Sequence, residues 1–199
     1  MLHLRVKTPP EWLEAVFADF DAFLLDHANR QRKASATGMS FVARYPDRKE
    51  LLDPMIEFAK EELEHFHIMY RICAERGLTL ADDYKDPYVN ALRSQVRAGG
   101  DIHFLDRLLV SGALLPGGCE RLHMVAEALK TRDPVLYEPY MDLARAESRH
   151  HAFFFRIARL YFSEAEVKER GGQMLDLESE LVQKRPHRAR SRSQTSWRS

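Results

Sequence analysis

The chain has 199 residues, of which 45% are hydrophobic and 30% charged, a balance that excludes a disordered or fibrous protein and suits one domain with a full-sized core. No apolar run reaches the length of a membrane span, no apolar h-region follows the N-terminus, and two cysteines, Cys73 and Cys119, are too few for a disulfide scaffold or an iron–sulfur cluster. The net charge of zero is unevenly spread: residues 184–199, KRPHRARSRSQTSWRS, hold six Lys/Arg and no acid, leaving 24 basic against 30 acidic side chains in residues 1–183.

In TPPEWLEAVFADF, Thr8 stands as a cap before two prolines, a helix start. A long apolar-periodic segment follows from about Asp21 to Tyr45 and stops before Pro46. Asp47 is placed to cap the next helix, which runs to Gly77 with Pro54 as an early point of kinking. The polar TLADDYKDP leads to a short helix near residues 87–98, closed by Gly99-Gly100. Asp101 opens DIHFLDRLLVSGALL, but LLPGG at 114–118 is poor sequence for the middle of a packed helix. Asp133-Pro134 starts a long helix through Phe162, and a weaker one over 164–183 is interrupted at Gly171-Gly172. No segment alternates as a strand would. The fold class is therefore all-α, a four-helix bundle with additional short helices over residues 1–183. Its first two long helices form one hairpin and its last two another. Residues 184–199 read as a separate, disordered basic tail, either a phosphate-contacting arm or a solvated end.

Within the bundle, glutamate followed three residues later by histidine recurs. One such pair lies on one helix face and can reach one ion, and carboxylate with imidazole suits iron, manganese or zinc. With 17 Glu and 9 His in the chain, chance supplies roughly one pair. There are four: Glu62/His65, Glu64/His67, Glu120/His123 and Glu147/His150. Glu62/His65 and Glu147/His150 sit mid-helix among apolar residues and are the candidate metal ligands. Glu64/His67 is rotated about 200° from Glu62/His65, and so reads as a surface or supporting pair. Glu120/His123 follows PGG and reads as a pair at a helix start. His27, one turn before Gln31, reads as a core histidine or as a ligand or proton carrier facing the centre.

A two-metal bundle also needs a glutamate on each of the other two long helices. The first has none between Glu14 and Glu50, and the repeat spacing points to Gln31 and Leu115. Two glutamates and two histidines suffice for one ion. Two divalent cations would bring four positive charges against two carboxylates, and burying that excess is costly.

The strings LLDHANRQRKASATGMSFVARYP, EELEHF, GGCERL and RAESRHHAFFF, in this order across most of residues 10–160, resemble the tRNA-(2-methylthio-isopentenyl-adenosine) hydroxylases. These are ferritin-like, non-haem di-iron monooxygenases. The resemblance implies a ferritin-like bundle, two irons, an electron-donating reductase and a tRNA partner. It implies hydroxylation of the isopentenyl group on a modified adenosine beside the anticodon, while the low cysteine count suits a reducing cytoplasm. It places iron ligands at Glu62, His65, Glu147 and His150, and puts two further family glutamates at Gln31 and Leu115. Cys119, Glu120 and Arg121 keep the end of the second of those motifs. The implied activity is therefore impaired. Two other readings stay open: a non-catalytic bundle of the same lineage that binds RNA, and a ferritin-like metal-binding protein.

Overall fold

The computed structural model describes residues 7–80, 87–114 and 116–183. These form eight helices: α1 (Pro10–Ala18), α2 (Phe20–Arg44), α3 (Lys49–Glu75), α4 (Pro87–Arg93), α5 (Gly100–Leu114), α6 (Pro116–Arg132), α7 (Pro134–Tyr161) and α8 (Glu164–Gln183). No strand occurs among the described residues. The expected hairpins are present, α2 against α3 and α6 against α7, while α5 closes the bundle against α7 and α8. The third long helix of the bundle is described as α5 and α6 on either side of Leu115, which lies outside the described residues, as do the polar connection at 81–86 and the basic segment 184–199.

Several local expectations need correction. Thr8 does not cap α1: its N–H donates instead to Glu120 Oε2 on α6 at 2.8 Å, and Pro9 holds the cap position. Asp47 does not cap α3, whose N-cap is Arg48 with no side-chain bond. As expected, Pro54 lies early within α3, and the helix runs on through it to Glu75. There the left-handed Gly77 (φ 70°) lets the Leu78 N–H reach back to the Cys73 carbonyl and its own N–H to that of Ala74, closing the helix end. The short α4 ends at Arg93, earlier than expected. Gly171 does not break α8 either: a Cβ there would lie 2.7 Å from the Phe155 ring, so the glycine makes room for an aromatic of α7.

Two apolar clusters form the core. One gathers Phe41, Met55, Phe58, Phe104, Leu108 and Phe154; the other gathers Leu24, Ala28, Met69, Val125, Leu129 and Tyr140. Along α3, Phe58 belongs to the first and Met69 to the second; along α7, Phe154 and Tyr140 divide the same way. Glu62, His65, Glu147 and His150 fall between them in sequence and are buried, so they form a polar layer between two apolar halves. Close approach of α2 and α3 supports that layer. A Cβ on Gly38 would stand 2.9 Å from the Ala59 Cβ, and Ser35 Oγ donates to the Ala59 carbonyl at 2.8 Å.

Elsewhere the buried Asp106 ties the α5 end of the bundle together. It accepts from the Arg97 backbone and guanidinium and from Arg170, at 2.8–2.9 Å. Burial alone would raise its pKa, but these hydrogen bonds outweigh that and hold its carboxyl well below the usual range.

Candidate metal centre

Glu62, Glu147 and His150 each direct a ligand atom into one buried spot, where these atoms lie within 4.8 Å of one another. His65 borders it: its Nδ1 is 4.0 Å from Glu62 Oε2, and its ring centroid is 6.2 Å from that of His150. His150 Nδ1 stands 2.7 Å from Glu62 Oε1, yet neither atom has a hydrogen-bond partner, because the contact is off the line a hydrogen bond requires. Five buried atoms here have no hydrogen-bond partner among the described residues: Glu62 Oε1 and Oε2, His65 Nδ1, Glu147 Oε2 and His150 Nδ1. Buried polar atoms normally have partners, so a convergent set of orphaned acceptors is the signature of a cation site. Two carboxylates and two imidazoles match iron, manganese or zinc in donor type, and their two negative charges offset one divalent ion.

The electrostatics point the same way. The Glu147 pKa is pushed up to about 7, first by burial and then by the charge of Glu62. Burial lowers the His65 pKa more than Glu62 and Glu61 raise it. For His150, burial also opposes the charged form, but the carboxylates of Glu62, Glu61 and Glu147 outweigh it and raise the pKa. A cation is what this concentration of carboxylate favours.

Gln31 occupies the neighbouring position on α2. Its Nε2 donates to Glu147 Oε1 at 3.3 Å and to His27 Nε2 at 3.1 Å, and His27 Nδ1 is 3.3 Å from the Tyr140 hydroxyl. A hydrogen donor, not an oxygen, therefore faces Glu147. His27 is satisfied by these partners, as a core histidine would be. Burial first, and then Arg30, depress its pKa to about 3 from an ordinary 6.5. Because that pKa is lowered, the stability it contributes is present above pH 6.5 and lost as the pH falls towards 3. Wild-type unfolding free energy should fall over that window more than that of His27→Gln, by up to roughly 5 kcal/mol, in a urea denaturation series.

Glu61 is a participant that the sequence pattern missed. Its Oε2 meets His150 Nε2 at 2.9 Å and its Oε1 accepts from Arg149 at 2.5 Å. This fixes the imidazole so that Nδ1 turns to the buried spot, the usual carboxylate–histidine support of a metal ligand. Glu61 lies beside Glu62 in sequence and points about 100° away, so only the packing of α7 on α3 reveals its role. Glu64, His67 and His123 are exposed, and half-buried Glu120 is engaged by Thr8.

The model of the tRNA-(MS[2]IO[6]A)-hydroxylase (MiaE) family matches residues 1–193. The chain belongs to the MiaE family. A Pseudomonas putida relative described as tRNA 2-(methylsulfanyl)-N(6)-isopentenyladenosine(37) hydroxylase is 32% identical over 180 residues, covering 90% of this chain and 86% of the relative. A Salmonella typhimurium protein of the same description is 25% identical over 137 residues, which span 69% of this chain and 49% of that protein. Among solved structures, a Synechococcus protein described as having aldehyde deformylating oxygenase activity superposes with a TM-score of 0.85 at 28% identity, covering 94% of this chain and 92% of that one. This chain thus carries the ferritin-like bundle anticipated from its sequence.

Proposed function

We propose that this chain is an iron-using, oxygen-dependent hydroxylase of tRNA. Its substrate would be the isopentenyl group of a methylthiolated, isopentenylated adenosine beside the anticodon. Membership of the MiaE family supports the substrate class. One structural observation carries the chemistry: Glu62, Glu147 and His150 converge in one buried spot with polar atoms that lack hydrogen-bond partners among the described residues, and His65 borders it.

In this reading those four residues hold the iron. Bound iron supplies dioxygen activation, with electrons delivered by a reductase. Glu61 orients His150, while Gln31 holds Glu147 in place through its amide N–H. The apolar clusters on either side keep bulk water from the layer. The residues fit one divalent ion. They do not fit two, because a second would leave a +2 excess in the core and Gln31 turns a donor towards Glu147. Turnover well below that of a site with a full set of carboxylates follows. The position of Gln31 also favours a second reading, a non-catalytic bundle of the same lineage that retains RNA binding.

The test is anaerobic loading with ferrous ion, elemental analysis, and then oxygen and a reductant with isopentenylated tRNA, followed by nucleoside mass spectrometry. About one iron per chain and slow addition of one oxygen atom to the modified adenosine support the proposal. One iron with no oxygen transfer favours the non-catalytic reading. A chain that takes no iron refutes the metal assignment.

A further inference from the structure

At the end of the bundle, beyond the metal layer, the C-terminal turns of α2 and the first turns of α5 enclose an open basic cavity of about 460 Å³. Ser40, Arg44, His103 and Arg107 line it, and the cavity beside it shares Arg44 and His103 and adds Tyr45. Among the described residues no carboxylate lines either cavity.

The cationic groups are held in place. The Arg107 guanidinium donates to Ser40 Oγ at 2.6 Å and lies 4.3 Å from the centre of the Phe41 ring. His103 Nδ1 is 3.1 Å from the Tyr45 hydroxyl. Arg44 is exposed and pairs with no acid among the described residues. The nearby acids are already engaged: Asp106 by Arg97 and Arg170, and Asp101 by Arg48. This is a basic cluster on a body, residues 1–183, whose side chains together carry an excess of six acids. Fixed guanidiniums are suited to phosphate oxygens, and Arg107 is already pinned for that task. Arg44 lies 13 residues beyond Gln31 on α2, about 20 Å along the helix axis.

We propose that this cavity binds a backbone phosphate of the RNA substrate, several nucleotides from the base that reaches the metal layer. Arg44 and Arg107 supply charge, His103 adds a ring N–H, and Ser40, which donates to the Thr37 carbonyl, holds Arg107 in place. The inference rests on the RNA substrate proposed above. Such contacts position the RNA without reading its sequence.

The experiment is fluorescence anisotropy with a labelled anticodon stem-loop RNA across a salt series. It compares the wild-type chain with Arg44→Ala, Arg44→Glu and the control Arg145→Glu. Arg145 is also exposed, on α7, and makes the same charge change. The Arg44 variants should bind about tenfold or more weakly, with the slope of log affinity against log salt reduced by about one. Arg145→Glu should do much less, and the helical circular dichroism of all variants should match wild type. Wild-type binding that Arg44→Glu weakens no more than Arg145→Glu overturns this site and leaves the proposed function standing. A wild-type chain that binds no stem-loop overturns both.

Discussion

Glu62→Leu is expected to cost the chain its metal while making the metal-free fold more stable. Glu62 is wholly buried, and neither of its carboxylate oxygens has a hydrogen-bond partner. It is a proposed central ligand, so its removal should weaken metal binding by about 100-fold or more, beyond what the loss of a merely supporting group does. Without the ion it is a desolvated carboxylate that also raises the pKa of Glu147. Replacing it by an apolar side chain of similar size removes that desolvation cost and the repulsion of Glu147, against the loss of its 2.7 Å contact with His150, for a net stabilisation of about 1 kcal/mol. The two effects have opposite signs, so they are read separately: metal affinity by titration with ferrous or cobaltous ion, and thermal unfolding in excess chelator. A variant that binds metal normally, or whose metal-free form melts well below wild type, would contradict the assignment of Glu62.

Gln31→Glu should do the reverse. It exchanges the amide N–H that faces Glu147 Oε1 at 3.3 Å for a third carboxylate. In the metal-free chain the two acids repel. Glu147 already titrates near 7, above its ordinary 4.5, so the stability linked to it is present below that ordinary value and is lost as pH rises through about 7. A second acid beside it enlarges that loss. The deficit of the variant relative to wild type should therefore be small at pH 5 and reach about 1–3 kcal/mol at pH 8, as measured by denaturant unfolding in chelator. Loaded with ferrous ion, the variant should hold more metal per chain than wild type. Equal stability at pH 8 together with an unchanged metal ratio would show that Gln31 does not limit the site.

Both results turn on one layer of side chains, and the sequence exposed a good part of it. Glu62/His65 and Glu147/His150 stood out because a spacing of three puts side chains on one helix face and because four such pairs exceed chance. Gln31 was found from the repeat spacing to Glu62, and the structure places its amide against Glu147. Glu61 and Tyr140 were not legible. Adjacent residues on a helix diverge by about 100°, and a tyrosine among aromatics carries no sign of the histidine it will meet.

Helix count, hairpin pairing and the burial of the paired Glu and His follow from local pattern, because periodicity and breakers act within a few residues. Helix ends followed less well. Thr8 lost its capping role to a contact with Glu120 on a distant helix, and Gly171 proved to be space for Phe155 rather than a break. The same division holds at the centre of the molecule. Residue type and spacing named the chemistry that the chain could perform. Only the packing of α7 against α3, and of Gln31 against Glu147, decided which lone pairs converge without partners, because those distances are set between helices and not along them.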